Sequence, residues 1–176
     1  MDTCYSGYMN KYPIRLILAD IRSAYNVGAI LRTADATGVE LVYACGYTPY
    51  PQVQPRDARP AHVASSNTRA IAKTALGAEA TVPVEHLPDT LAAIAAARTS
   101  GYTITVLEQA EGSLNLYQYQ TAGPLALILG NEPNGVDAAT LRAADAILEL
   151  PMLGRKESLN VAVAAGIALY HLRFTA

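Results

Sequence analysis

The sequence is sparing with the features that usually announce a chemistry. It has two cysteines, Cys4 and Cys45, among 176 residues, with no CxxC pair and no histidine cluster beside them. That argues against a disulfide framework or a metal site, and points to a reducing, cytoplasmic setting. No stretch reaches the roughly 18 apolar residues of a membrane span, and the N-terminus lacks the apolar core of a secretory signal. There is no low-complexity tract. Neither GxGxxG nor GxxxxGK[ST] occurs, so no cofactor is held in the common glycine-rich loops. Net charge is small, −2, but unevenly spread. Eight Lys or Arg face five Asp or Glu over residues 1–73, two face nine over 79–150, and three face one over 151–176. Folding that joins the two basic ends would set a basic face opposite an acidic one, which is compatible with nucleic acid without specifying it.

What is present is an alternation of strand and helix. Strands are predicted at 15–20 (RLILAD), 41–46 (LVYACG), weakly at 82–85, and at 103–108 (TITVLE), 124–130 (PLALILG) and 146–151 (AILELP). Helices are predicted at 26–38, around 66–77, at 88–99, at about 137–144 and at the C-terminus. This pattern implies an α/β fold, a single-domain parallel sheet with helices on both faces. Ligands in such sheets bind beyond the carboxyl ends of the strands. The loops there read IRSAYNVG, QAEG, NEPNG and MLGRKESLN, and three of the four are rich in Asn, Glu, Ser, Arg and Gly.

The last segment, LGRKESLNVAVAAGIALYHL (153–172), is unusual. Ser158 is placed to cap a helix that is apolar on every face and is therefore expected to be buried on all sides. Asn160 in its first turn then needs a hydrogen bond. Taken singly, Asn26 reads as a helix cap, Arg32 as a surface arginine and GNEPNG (130–135) as a turn.

Taken in order, three segments resemble the motifs of the SpoU-TrmH family of RNA ribose 2′-O-methyltransferases, in the SPOUT superfamily. They are NVGAILRTADATGV (26–39), LALILGNEPNGV (125–136) and LELPMLGRKESLNVAVAAGIALY (148–170). The resemblance spans residues 15–173 and divides the chain into an N-terminal extension, 1–14, and a SPOUT methyltransferase domain, 15–176. It implies a deep C-terminal trefoil knot, a homodimer packed on the last helix, and a bent S-adenosylmethionine held largely by backbone groups. By resemblance, Leu107, Gly130, Leu150 and Leu159 line the cofactor pocket, with Met152 and Glu108 as neighbours. Arg32 takes the catalytic place, Asn26 orients it or the ribose, Glu132 holds the second motif, and Ser158 and Asn160 fix the ribose and the loop.

The chemistry suits these residues. A ribose hydroxyl is a poor nucleophile, whereas a sulfonium methyl is already activated, so alignment and proton removal are what remain. Arginine is an awkward base, and positioning of an RNA phosphate is the safer part of its role. Asn26 and Arg32 lie about 240° apart on a helical wheel, so Asn26 is expected to act from the cap. His62, His86 and His171 lie outside the motif loops and read as structural or surface residues.

Arg22, Arg56, Arg59, Arg69, Arg155 and Lys156 are candidate phosphate contacts, each also readable as a solvated surface charge. Tyr47 and Tyr50 read first as loop packing and second as platforms for a base. The expected substrate is tRNA or rRNA, with tRNA favoured by the small size of the chain. A non-catalytic RNA-binding or assembly protein on the same fold is the alternative, and a small-molecule α/β enzyme a more distant one.

Overall fold

The computed structural model describes residues 12–52, 57–131 and 133–174. Most of the expected N-terminal extension, Cys4, Arg56 and Glu132 therefore lie outside the described residues.

The strands are β1 (Ile14–Ala19), β2 (Leu41–Cys45), β3 (Val84–Leu87), β4 (Thr103–Leu107), β5 (Leu114–Asn115), β6 (Leu125–Leu129) and β7 (Ala146–Glu149). They form one seven-stranded sheet in the order β3-β2-β1-β6-β4-β7-β5, and every pairing is parallel. The helices are α1 (Ala24–Thr37), α2 (Ala61–Ala75), α3 (Ala78–Thr81), α4 (Thr90–Thr99), α5 (Ala138–Ala143) and α6 (Val161–Phe174).

Alternation along the central strands divides the core in two. Leu16 and Leu18 of β1, with Leu125, Leu127 and Leu129 of β6, join α1, α2 and α6 on one face. Ile17, Ala19, Ala126 and Ile128 point the other way and pack with Ala93, Ile94 and Ala97 of α4. Both faces are covered, as the apolar runs require.

Several boundaries differ from the sequence reading. Helix α2 begins at Ala61, because Pro60, with φ −53°, supplies an N-terminal geometry ready for a helix. The weak third strand is shifted to Val84–Leu87, beyond Pro83. Strand β5 and helix α3 are too short to carry a period.

The terminal helix departs most from expectation. Asn160, not Ser158, caps it: its Oδ1 accepts from the Ala162 amide at 2.9 Å. Nor is it buried all round. Ala165, Ala168, Leu169 and Leu172 are covered, while Val163 and Tyr170 are 52% and 51% exposed. One chain supplies a partner for one face only.

Its far end is locked by Arg173, which is buried. The guanidinium donates to the carbonyls of Thr37 at 2.8 Å, Gly38 at 3.1 Å and Tyr12 at 2.9 Å. Two of these acceptors close the C-terminus of α1, where a cation also meets the negative end of the helix dipole.

Cys45 ends β2 inside the second core. Burial pushes its thiol up to about 12 from an ordinary 9.0, helped by the Asp20 and Asp89 carboxylates. The folded value is the higher one, so this group's contribution to stability is intact below pH 9.0 and is lost as pH rises toward about 12. In a Cys4→Ser background we expect Cys45 to resist a thiol reagent at pH 8 while folded and to react fully in urea. Fast labelling of the folded protein would mean that β2 opens readily.

Candidate active site

The carboxyl ends of β4, β6 and β7 open into a cavity of about 560 Å³. Leu107, Gly130, Leu150, Met152 and Leu159, five of the residues named from sequence for a cofactor, all line it, as do Glu108, Ser158 and Asn160. Burial of Leu150 and exposure of Leu159 place one at the cavity's base and the other at its rim.

The second motif forms the cavity wall as a tight turn. Asn131 and Gly135 exchange backbone hydrogen bonds of 3.1 and 2.8 Å. Glu108 clamps this turn from β4's end, its Oε2 accepting from the Val136 amide at 3.0 Å. Gly135 has φ +64°, and a Cβ there would meet Glu108 Oε2 at 2.2 Å. A Cβ at Gly130 would meet Val136 Cγ2 at 2.6 Å and Gly135 C at 2.7 Å. The glycines are thus required by close approach of backbone to its own turn.

Asn160 joins the first and third motifs. Besides capping α6, its Nδ2 donates to Asn26 Oδ1 at 3.1 Å. That bond answers why an apolar helix has a polar entrance. Asn26 itself is not a cap; Ser23 holds that position, its Oγ accepting from the Asn26 amide at 3.3 Å. Asn26 sits in the first turn, where its side chain can reach across to the loop before α6.

Arg32 lies elsewhere. It is exposed on α1, is not part of the cavity wall, and forms no hydrogen bond or ion pair among the described residues. The single chain therefore brings Ser158 and Asn160 to the cavity wall and ties Asn26 to Asn160, but leaves Arg32 outside.

The proposed phosphate contacts divide. Arg22, Arg69, Arg155 and Lys156 are exposed, and the last two lie in the loop whose Glu157 and Ser158 reach the cavity. Arg59 is engaged within its own chain. Its guanidinium pairs with Asp57 at 2.6 Å, donates to the carbonyls of Tyr50 and Pro51, and lies 3.4 Å above the Tyr50 ring. Tyr50 stacks in turn on His86 at 4.6 Å, so both serve loop packing. His86 also bonds the Gly46 carbonyl, and His171 meets the Tyr117 ring edge-on. Tyr47, by contrast, is exposed.

Sequence reasoning passed over Asn131, although it lies inside the quoted GNEPNG. It is buried, with its amide donating to the Asp20 carbonyl at 2.7 Å and to the Tyr47 hydroxyl. The available signal was an asparagine two residues past a fully buried strand.

The sequence model of the SpoU rRNA Methylase family matches residues 13–170. The chain belongs to this family. A 23S rRNA (guanosine-2′-O-)-methyltransferase RlmB from Photobacterium profundum is 32% identical over 170 residues, 97% of this chain and 62% of the relative. The chain thus spans about three fifths of that SpoU relative's length. An AdoMet-bound rRNA methyltransferase from Sinorhizobium meliloti is similar in structure, with TM-score 0.74, 28% identity, and 90% of this chain and 55% of that one covered. A structure concerned with 2-OH methylation on tRNA shares the SpoU fold at TM-score 0.67 and 24% identity, covering 92% of this chain and 94% of that one.

Proposed function

We propose that this chain is an S-adenosylmethionine-dependent RNA ribose 2′-O-methyltransferase. The observation that carries the reading is the convergence of five expected cofactor residues on one cavity, whose wall includes Asn160, itself bonded to Asn26. The volume, about 560 Å³, falls in the ~300–1,000 Å³ range of small-ligand sites. The donor set fits the cofactor: apolar walls from Leu107, Leu150 and Met152 suit an adenine and thioether, and the glycine-rich turn offers backbone groups.

The cofactor supplies an activated methyl group. The chain's own part is to place the ribose hydroxyl in line and to ease its proton away. Asn160 and Ser158 orient the ribose at the rim, Asn26 steadies Asn160, and Arg32 grips an RNA phosphate. Because Arg32 stands outside the cavity, the site is completed by RNA or by a second copy of the chain. The half-exposed apolar face of α6, with Val163 and Tyr170, supports a homodimer. A trefoil knot formed by the loops around the cavity is part of the same reading, as is a cytoplasmic location.

Ribosomal RNA is the substrate favoured by the relatives' names; the preference for tRNA rested on size alone. A non-catalytic RNA-binding protein would have no need of the cofactor cavity. Calorimetric titration with S-adenosylmethionine, light scattering, and transfer of labelled methyl to rRNA and tRNA fractions test the reading together. We expect one site per chain, a dimer, and label in the ribose. A protein that binds RNA but neither binds the cofactor nor transfers methyl would establish the alternative. Gly130→Ala is expected to cost at least tenfold in cofactor affinity, since the turn must shift to admit a Cβ. Unchanged affinity would remove the turn from the binding surface.

A further inference from the structure

A second cavity, of about 190 Å³, lies on the other side of the second-motif turn, and Asn131, Asn134, Gly135 and Val136 line both. Its remaining wall includes Asp20, Tyr47, Thr90, Asp137 and Thr140. It is smaller than the ~300–1,000 Å³ of sites that enclose a whole drug-sized ligand, and it suits a single planar base.

Three features make it a built site. First, Thr90 and Thr140 are both more than nine-tenths buried, and their hydroxyls have no hydrogen-bond partner among the described residues. Second, Asp20 has φ 55°, a left-handed backbone rare for a residue other than glycine. Its Oδ1 accepts from the Tyr47 amide at 3.1 Å, in space that a Cβ on Gly46 would occupy at 2.0 Å, while its Oδ2 has no partner among the described residues. Third, Tyr47 is 59% exposed, yet it is pinned at both ends, by that amide bond and by its hydroxyl's bond with Asn131. An exposed ring that is already immobilised loses little entropy when a base stacks on it.

The wall carries two carboxylates and no cation, which disfavours phosphate and favours a ligand edge made of donors. Among described residues no third Asp, Glu, His or Cys joins them as a metal group. Guanine is the base that presents two adjacent donors, N1–H and the 2-amino group, to a single carboxylate. Adenine would set its N1 acceptor against Asp20 and leave both unpaired.

We propose that this cavity receives the target base and selects guanine, with Asp20 reading its Watson–Crick edge and Tyr47 stacking on its face. The inference rests on the RNA methyltransferase reading, since the shared turn then sets the ribose beside the cofactor cavity.

The test is calorimetric titration of the intact protein, saturated with S-adenosylhomocysteine, with pentaribonucleotides differing only in a central guanine, inosine or adenine. We expect guanine to bind at least tenfold tighter than adenine, with inosine between them for want of the 2-amino group. Asp20→Asn, which tolerates the same backbone, should erase the guanine preference while S-adenosylhomocysteine affinity holds. Thr90→Val provides a second, nearly isosteric variant expected to weaken guanine binding severalfold. Equal affinity for the three oligonucleotides, no binding of any, or a preference that survives Asp20→Asn would overturn the proposal. Guanine selectivity without methyl transfer would keep the base pocket and remove the enzyme reading; transfer without base selectivity would do the reverse.

Discussion

Arg32→Ala is expected to lower methyl transfer by about 10²–10³-fold, the loss typical of removing one charge-stabilising donor, with cofactor affinity unchanged. The separation follows from position. Arg32 is an exposed residue of α1 and contributes nothing to the 560 Å³ cavity, so its removal leaves the cofactor's surroundings intact. Arg32→Lys should recover only part of the rate, because an ammonium keeps the charge but not the two-pronged grip on phosphate. The check is single-turnover transfer beside a cofactor titration on the same samples. If affinity fell in parallel with rate, Arg32 would be a structural residue. The contrast with Leu159 is informative. Leu159 lines the cavity and is 42% exposed in the chain alone, so Leu159→Asp is expected to damage cofactor binding or the dimer, not the fold.

Gly28→Val is expected to destabilise the protein by roughly 3 kcal/mol, lowering the melting temperature by about 6–12 °C for a chain of this size. Gly28 lies where α1 crosses α2. A Cβ there would meet the Ile71 carbonyl oxygen and Thr74 Oγ1, each at 2.2 Å, and the Ala75 amide at 3.1 Å. The carbonyl belongs to a helix backbone and cannot rotate away. Thr74 is itself held by a 2.8 Å bond to the Tyr25 carbonyl. Gly28→Ala makes the sharper comparison. In an isolated helix alanine gains about 1 kcal/mol over glycine, whereas here it should lose stability because the helices must part. Urea denaturation decides the sign; a stabilised alanine variant would mean that the crossing has slack. Since Asn26 stands one half-turn before Gly28, separation of the helices should also loosen its bond to Asn160.

The sequence made the sheet readable because β6 is buried on both faces and runs apolar throughout, and β1 is broken only by the partly buried Arg15. It made the cavity readable through ordered motifs on successive strand ends. What it hid depends on distant partners. Asn160 and Asn26 lie 134 residues apart, and nothing local says that one caps a helix while bonding the other. Arg59 looked like any basic loop residue until Asp57, Tyr50 and two carbonyls closed around it. Uniform hydrophobicity in α6 implied burial on every side, whereas its own chain covers one face and leaves Val163 and Tyr170 half-exposed.

Arg173 also sets a clock. Its bond to Thr37 links residues 136 apart, so at roughly 5–20 residues per second α1 waits about 7–27 s on the ribosome for the side chain that closes its end. The centre of the sheet waits almost as long, because β1 pairs with β6. During that interval the nascent chain displays the apolar stripe that α6 will cover. The strand order therefore delays closure of the core, and α6, made long after α1 and β1, is the helix that ends the exposure.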